Sequence, residues 1–149
     1  QNDWSVVNDG VMGGLSEGYY NVNEDGNGVF KGEVSLENNG GFTSIRKTVN
    51  FSEAQGYKKV IIRLKGDGKR YQFRLKRDLY DRHSYIQYFE TSGEWEEIEL
   101  RLKDFYPSWR GRNLDMPNFE AKTIKELRFL IANKKPQEFE LEIDYIALK

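Results

Sequence analysis

Apolar and polar residues alternate with period two over much of this chain. Val60, Ile62 and Leu64 alternate with Lys59, Ile61, Arg63 and Lys65, and Tyr71, Phe73 and Leu75 alternate with Gln72, Arg74 and Lys76. A two-residue period puts successive side chains on opposite faces, so each run predicts a half-buried strand. The same period recurs in Phe30, Val34 and Leu36; in Ile86 and Tyr88; in Ile98, Leu100 and Leu102; in Leu127, Phe129 and Ile131; and from Phe139 to Ala147. Glycine and proline interrupt too often for a long helix, and only Phe119 to Lys125 has room for a helical turn. Eight to ten short antiparallel strands predict an all-β fold, a sandwich or jelly roll.

Two hairpins are expected. Gly66-Asp67-Gly68-Lys69 suits a tight turn, and a tip at Asp67 and Gly68 sets Leu64 against Tyr71, Ile62 against Phe73 and Val60 against Leu75. Across Asn133 to Gln137, a second register opposes Phe129 to Leu141 and Arg128 to Glu142, an outer ion pair. The stretch from Phe105 to Phe119 is too long and aromatic for a plain connection, and part of it is expected to fold back and cap one end of a sheet.

The outward positions carry the candidate chemistry. With Val60 to Leu75 facing the core, Ile61, Arg63, Gln72, Arg74 and Lys76 face out. Pairing Phe73 with Tyr88 would add Tyr85, Gln87 and Phe89 to that surface. Aromatic rings stack on sugars or pack in protein interfaces, while Arg and Gln supply directional hydrogen bonds. Arg63, Gln72, Arg74, Tyr85 and Gln87 are therefore the expected binding residues, with Arg46 beyond them. The competing reading is that long cationic side chains merely cover an apolar sheet and Arg46 ties loop carbonyls.

Composition narrows the chemistry further. The 149 residues include no cysteine, one histidine, 14 glycines and 21 aromatics, with 23 basic residues against 24 acidic. A 38% apolar share suffices for one core, so a single domain over residues 1–149 is expected. Thiolate metal sites, multi-histidine sites and cysteine nucleophiles are excluded, and no G-x-S-x-G turn appears. His83 falls in a polar loop and reads as a solvated turn residue. No enzyme, metal or cofactor is expected. Asn8, Asp9 and Ser16 offer too few carboxylates for calcium and read as a turn.

Local charge is uneven, because Lys58 to His83 holds ten Lys and Arg against three Asp. Arg110 and Arg112 beside Trp109 suggest nucleic acid, but a pI near 6.0 and acidic strands argue against it. No apolar run is long enough to span a membrane. A soluble monomer is expected, and Gln1 in place of Met points to a removed N-terminal segment, as after bacterial export.

Four strings, in order, carry a resemblance. They are WSVVNDGVMGGLS (Trp4 to Ser16), FKGEVSLENNGGFTSIR (Phe30 to Arg46), GDGKRY (Gly66 to Tyr71) and FYPSWRGR (Phe105 to Arg112). Together they resemble the complex I intermediate-associated protein 30 family. The resemblance implies a galactose-binding-domain-like jelly roll without a catalytic step. It also implies a protein partner, an assembly intermediate of respiratory complex I for which mitochondrial members are chaperones. The same fold is similar to carbohydrate-binding modules, which makes a glycan the alternative partner.

Overall fold

The structure is a computed structural model that describes residues 4–8, 15–37, 41–120 and 122–149. Its twelve strands run β1 (Ser5–Asn8), β2 (Glu17–Val22), β3 (Gly28–Val34), β4 (Thr43–Phe51), β5 (Lys59–Lys65), β6 (Arg70–Lys76), β7 (Ser84–Glu90), β8 (Trp95–Arg101), β9 (Tyr106–Trp109), β10 (Arg112–Asn113), β11 (Ile124–Ile131) and β12 (Gln137–Leu148). They form two antiparallel sheets, one of seven strands ordered β1-β4-β11-β6-β7-β9-β10 and one of five ordered β2-β3-β12-β5-β8. Short 3-10 turns lie at Ala54–Gly56 and Leu102–Asp104, and there is no α-helix among the described residues.

Most inward positions are those the alternation marks, but a bulge between Ile143 and Tyr145 turns Tyr145 and Ala147 outward and brings Ile146 and Leu148 against the core. Val60, Ile62 and Leu64 of β5, Tyr71, Phe73 and Leu75 of β6, and Phe139, Leu141 and Ile143 of β12 join one core cluster. Aromatic rings fill its centre: Phe129 lies 4.9 Å from Phe73, 5.5 Å from Trp4 and 6.3 Å from Phe89, centroid to centroid. Each such side chain contributes about 1.5–3 kcal/mol by leaving water.

Neither expected hairpin forms. β5 pairs with β12 and β8 in the five-stranded sheet, whereas β6 pairs with β11 and β7 in the other. β11 and β12 likewise lie in different sheets. Both connections therefore cross the sandwich. A crossing strand presents the same alternate residues to the core as a hairpin strand would, which is why the inward set was legible although the partners were not.

Asp67 secures the first crossing. Its carboxylate accepts hydrogen bonds from the Tyr71 hydroxyl (3.0 Å) and the Glu140 backbone N–H (2.8 Å), fastening the bend to β12. At Gly66 a Cβ would lie 2.3 Å from the Thr91 Cβ, so only glycine fits. The expected Arg128–Glu142 pair is absent. Glu142 instead accepts from the Asn23 and Asn27 side-chain amides, each at 2.9 Å.

Two further expectations are corrected. Phe105 to Phe119 does more than fold back: it supplies β9 and β10, which extend the seven-stranded sheet at its edge around a positive-φ turn at Arg110 and Gly111. The segment beginning at Phe119 leads into β11 from Ile124 without a helical turn among its described residues. Phe119 itself is buried and its N–H donates to the Phe105 carbonyl at 2.9 Å.

Candidate functional site

The pairing of β6 with β7 decides what the outer surface of the seven-stranded sheet carries. Phe73 lies opposite Gln87, and Gln72 opposite Tyr88, one residue from the expected register. A shift of one residue exchanges the faces. Tyr85 and Phe89 therefore point into the core, 3% and 6% exposed, while Tyr88 points outward and is 40% exposed. Two large rings bury more apolar surface than Ile86 and Tyr88 would, which favours the observed register.

Of the expected binding residues, Gln72, Arg74 and Arg46 come together on this outer surface. Arg63 does not join them. It lies on the outside of the five-stranded sheet, where its Nε donates to Asp144 at 3.1 Å and its guanidinium sits 4.9 Å from the Trp95 ring centroid. Gln87 follows the inward parity of Tyr85 and donates to the Arg101 carbonyl at 2.8 Å. His83 is not a solvated turn residue: its side chain is 12% exposed and its ring lies edge-on to Tyr85.

Arg74 anchors a polar chain across the surface. Its Nε and one Nη donate to the Gln72 side-chain oxygen at 2.9 and 2.6 Å, and the Gln72 amide donates to the Tyr88 hydroxyl at 3.2 Å. The Arg70 guanidinium covers the Tyr88 ring, 4.3 Å from its centroid. Tyr106 lies across β7, opposite Ile86, and feels the charges of Arg74 and Arg70.

The opposite flank of Arg74 was not foreseen. Arg128 of β11 stands opposite Arg74 on one side and opposite Arg46 on the other, so three arginines form a row over three adjacent strands. Burial, reinforced by Arg128, lowers Arg74 to about 10, so it remains charged at neutral pH. Burial also lowers Arg128, with Arg46 adding to the effect and Glu126 opposing it. Glu126 is buried and approaches Arg128 at 3.9 Å. Beside the row, Ser5, Arg46, Thr48, Lys76, Leu79 and Glu126 line a hollow of about 500 Å³. β11 already showed Arg128 facing away from the core, but only the strand order reveals that Arg46 and Arg74 are its neighbours.

Asn8 and Ser16 act as loop ties. Asn8 accepts from the Gly18 N–H at 3.1 Å and from the Thr43 hydroxyl, and Ser16 bonds the Ser35 backbone on both its N–H and carbonyl. Asp9, the third residue weighed for calcium, lies outside the described residues. Among those residues, no group of three or more His, Asp or Glu is placed to hold a metal. No helix there is long and apolar enough to cross a membrane.

The two packed antiparallel sheets form an all-β sandwich whose outer surface is polar and aromatic. The family 11 carbohydrate-binding module of a cellulosomal cellulase of Clostridium thermocellum superposes with a TM-score of 0.74 at 14% identity, covering 99% of this chain and 88% of the module. The same kind of module in complex with a β-1,3-1,4-mixed-linked tetrasaccharide gives 0.73, also at 14% identity, covering 99% and 89%. An agarase gives 0.63 at 12% identity, this chain matching 22% of its length. At such identities the likeness establishes the fold. A sequence model of the complex I intermediate-associated protein 30 family matches residues 1–143, and the chain belongs to that family.

Proposed function

We propose that this chain is a non-catalytic binding module that takes a carbohydrate on the outer surface of its seven-stranded sheet. The observation that carries this reading is the connected Arg74–Gln72–Tyr88 set. It places a half-exposed aromatic ring beside side chains already fixed by mutual hydrogen bonds. Fixed polar groups next to an aromatic platform lose little entropy on binding a sugar, since the ring supplies stacking area and Arg and Gln supply direction. The structure of a similar module holding a mixed-linked tetrasaccharide supports the reading. The test is calorimetric titration with soluble glycans, using Tyr88→Ala and Arg74→Gln. Binding by the parent chain and a loss of about tenfold or more in each variant is expected, roughly 1.4 kcal/mol. A parent chain that binds no glycan overturns the reading.

The family match favours a second reading, in which the partner is a protein assembly intermediate of respiratory complex I. Capture of complex I subunits from host membranes by the tagged chain, identified by mass spectrometry, would support it. Capture that enriches none of them would count against it.

A further inference from the structure

The row of three arginines has a chemistry that a neutral sugar does not require. Arg46, Arg128 and Arg74 occupy directly opposed positions on β4, β11 and β6, with strands about 4.8 Å apart. Like charges set opposite each other across a ladder destabilise it. Among the described residues the row is neutralised only in part: one carboxylate lies beside it, Glu126, which pairs with Arg128 at 3.9 Å. The buried Arg128 Nε has no hydrogen-bond partner, and Arg46 is exposed and forms no hydrogen bond or ion pair among the described residues. By register, Arg46, Arg70, Arg74, Lys76 and Arg128 share this surface with the carboxylates of Glu90 and Glu126.

Resting on the carbohydrate reading above, we infer that the ligand is an acidic glycan whose uronic-acid carboxylates sit along the Arg46–Arg128–Arg74 row. The planar guanidinium fork matches a carboxylate through paired N–H donors, which a hydroxyl cannot use as fully. A chain of uronates running across the strands meets successive arginines, while Tyr88 and Tyr106 on the adjoining β7 and β9 offer rings to its sugar faces. The hollow between Arg46 and Lys76 extends the cationic surface beyond the row.

The experiment titrates the 149-residue chain with oligogalacturonate, neutral mixed-linkage β-glucan oligosaccharide and polyglutamate, each at low and high salt. The exposed Arg46→Gln variant and an Arg63→Gln control on the far sheet are run in parallel, their folding checked by circular dichroism. Oligogalacturonate is expected to bind tightest and to weaken with salt. Arg46→Gln should lose about tenfold or more of that affinity, with Arg63→Gln unchanged. Neutral glucan bound as tightly as the uronate, with no effect of Arg46→Gln, overturns the acidic ligand and leaves sugar binding standing. Polyglutamate bound as well as the uronate overturns the glycan class in favour of a general polyanion surface. No binding to either saccharide overturns this inference together with the reading beneath it.

Discussion

Arg46 of β4 and Arg128 of β11 face each other directly across an antiparallel ladder; Arg128 pairs with Glu126 at 3.9 Å, and Arg46 forms no ion pair among the described residues. Such a pair works against folding. Arg46→Gln is therefore expected to leave stability unchanged or raise it by a few tenths of a kcal/mol, up to about 1. Urea unfolding would read this as an equal or higher midpoint with an unaltered slope. A residue that costs stability while its removal costs affinity is the usual mark of a site kept for binding.

Tyr71 gives the fold an alkaline limit. Its hydroxyl is buried and bonded to Asp67, and burial followed by the Asp67 charge raises it well above its ordinary value of 10.0. A raised value means that the folded chain holds the proton after the unfolded chain has lost it. The stabilisation is complete below about pH 10 and is lost as pH rises further. Stability should fall by up to about 1.4 kcal/mol per pH unit there from this group. Tyr71→Phe should remove that slope at a cost of about 0.5–1.5 kcal/mol at neutral pH. Tyr85 and Tyr106, raised chiefly by burial, would leave a residual slope. Denaturation midpoints between pH 8 and 11, compared for both chains, provide the check.

The two faces of the sandwich should separate cleanly under mutation. Arg63 pairs with Asp144 on the five-stranded sheet with both side chains more than a third exposed, 37% and 41%. Screening by solvent keeps such a pair below about 1 kcal/mol. Arg63→Ala is expected to shift the unfolding midpoint slightly and to leave glycan affinity intact. A loss of affinity matching that of Arg74→Gln would place the ligand on the wrong sheet.

Gly66→Ala tests the first crossing. A methyl group there meets the Thr91 side chain at 2.3–2.4 Å, and the clash includes the Thr91 Cβ itself, so rotation about the side chain gives no relief. Overpacking of this kind costs about 1–3 kcal/mol. A thermal midpoint lowered by several degrees, with far-ultraviolet circular dichroism unchanged, is the expected result.

How far the sequence spoke can be judged from these residues. Inward and outward positions on β5, β6, β11 and the first half of β12 were legible because alternation is a local property of each strand, but the bulge after Ile143, which puts Tyr145 and Ala147 outside, was not. Strand partners were not, since a hairpin and a sheet-crossing connection demand the same alternation. The Asp67-Gly68 pair resembled a hairpin tip, yet Asp67 spends its carboxylate on Tyr71 and on β12, a contact 73 residues away that no local pattern encodes. The register of β7 was misplaced by one because the aliphatic Ile86 was set inward ahead of the larger rings of Tyr85 and Phe89. Gln72 and Arg74 were legible as outward-facing and Arg46 only as a further candidate, and their union with Arg128 depends on β11 lying between β4 and β6, a fact of topology alone.

The placement of β12 between β3 and β5 also governs how the chain reaches its fold. β12 follows the other four strands of its sheet in chain order yet lies in the middle, so β2–β3 and β5–β8 remain two separate ribbons with unpaired edges until it inserts. Closure must then wait for contacts between distant parts of the chain, the circumstance in which folding is slow. Removing β12 would split one layer in two and leave the apolar faces of both halves open to self-association, so β12 is the last strand that an engineer should trim.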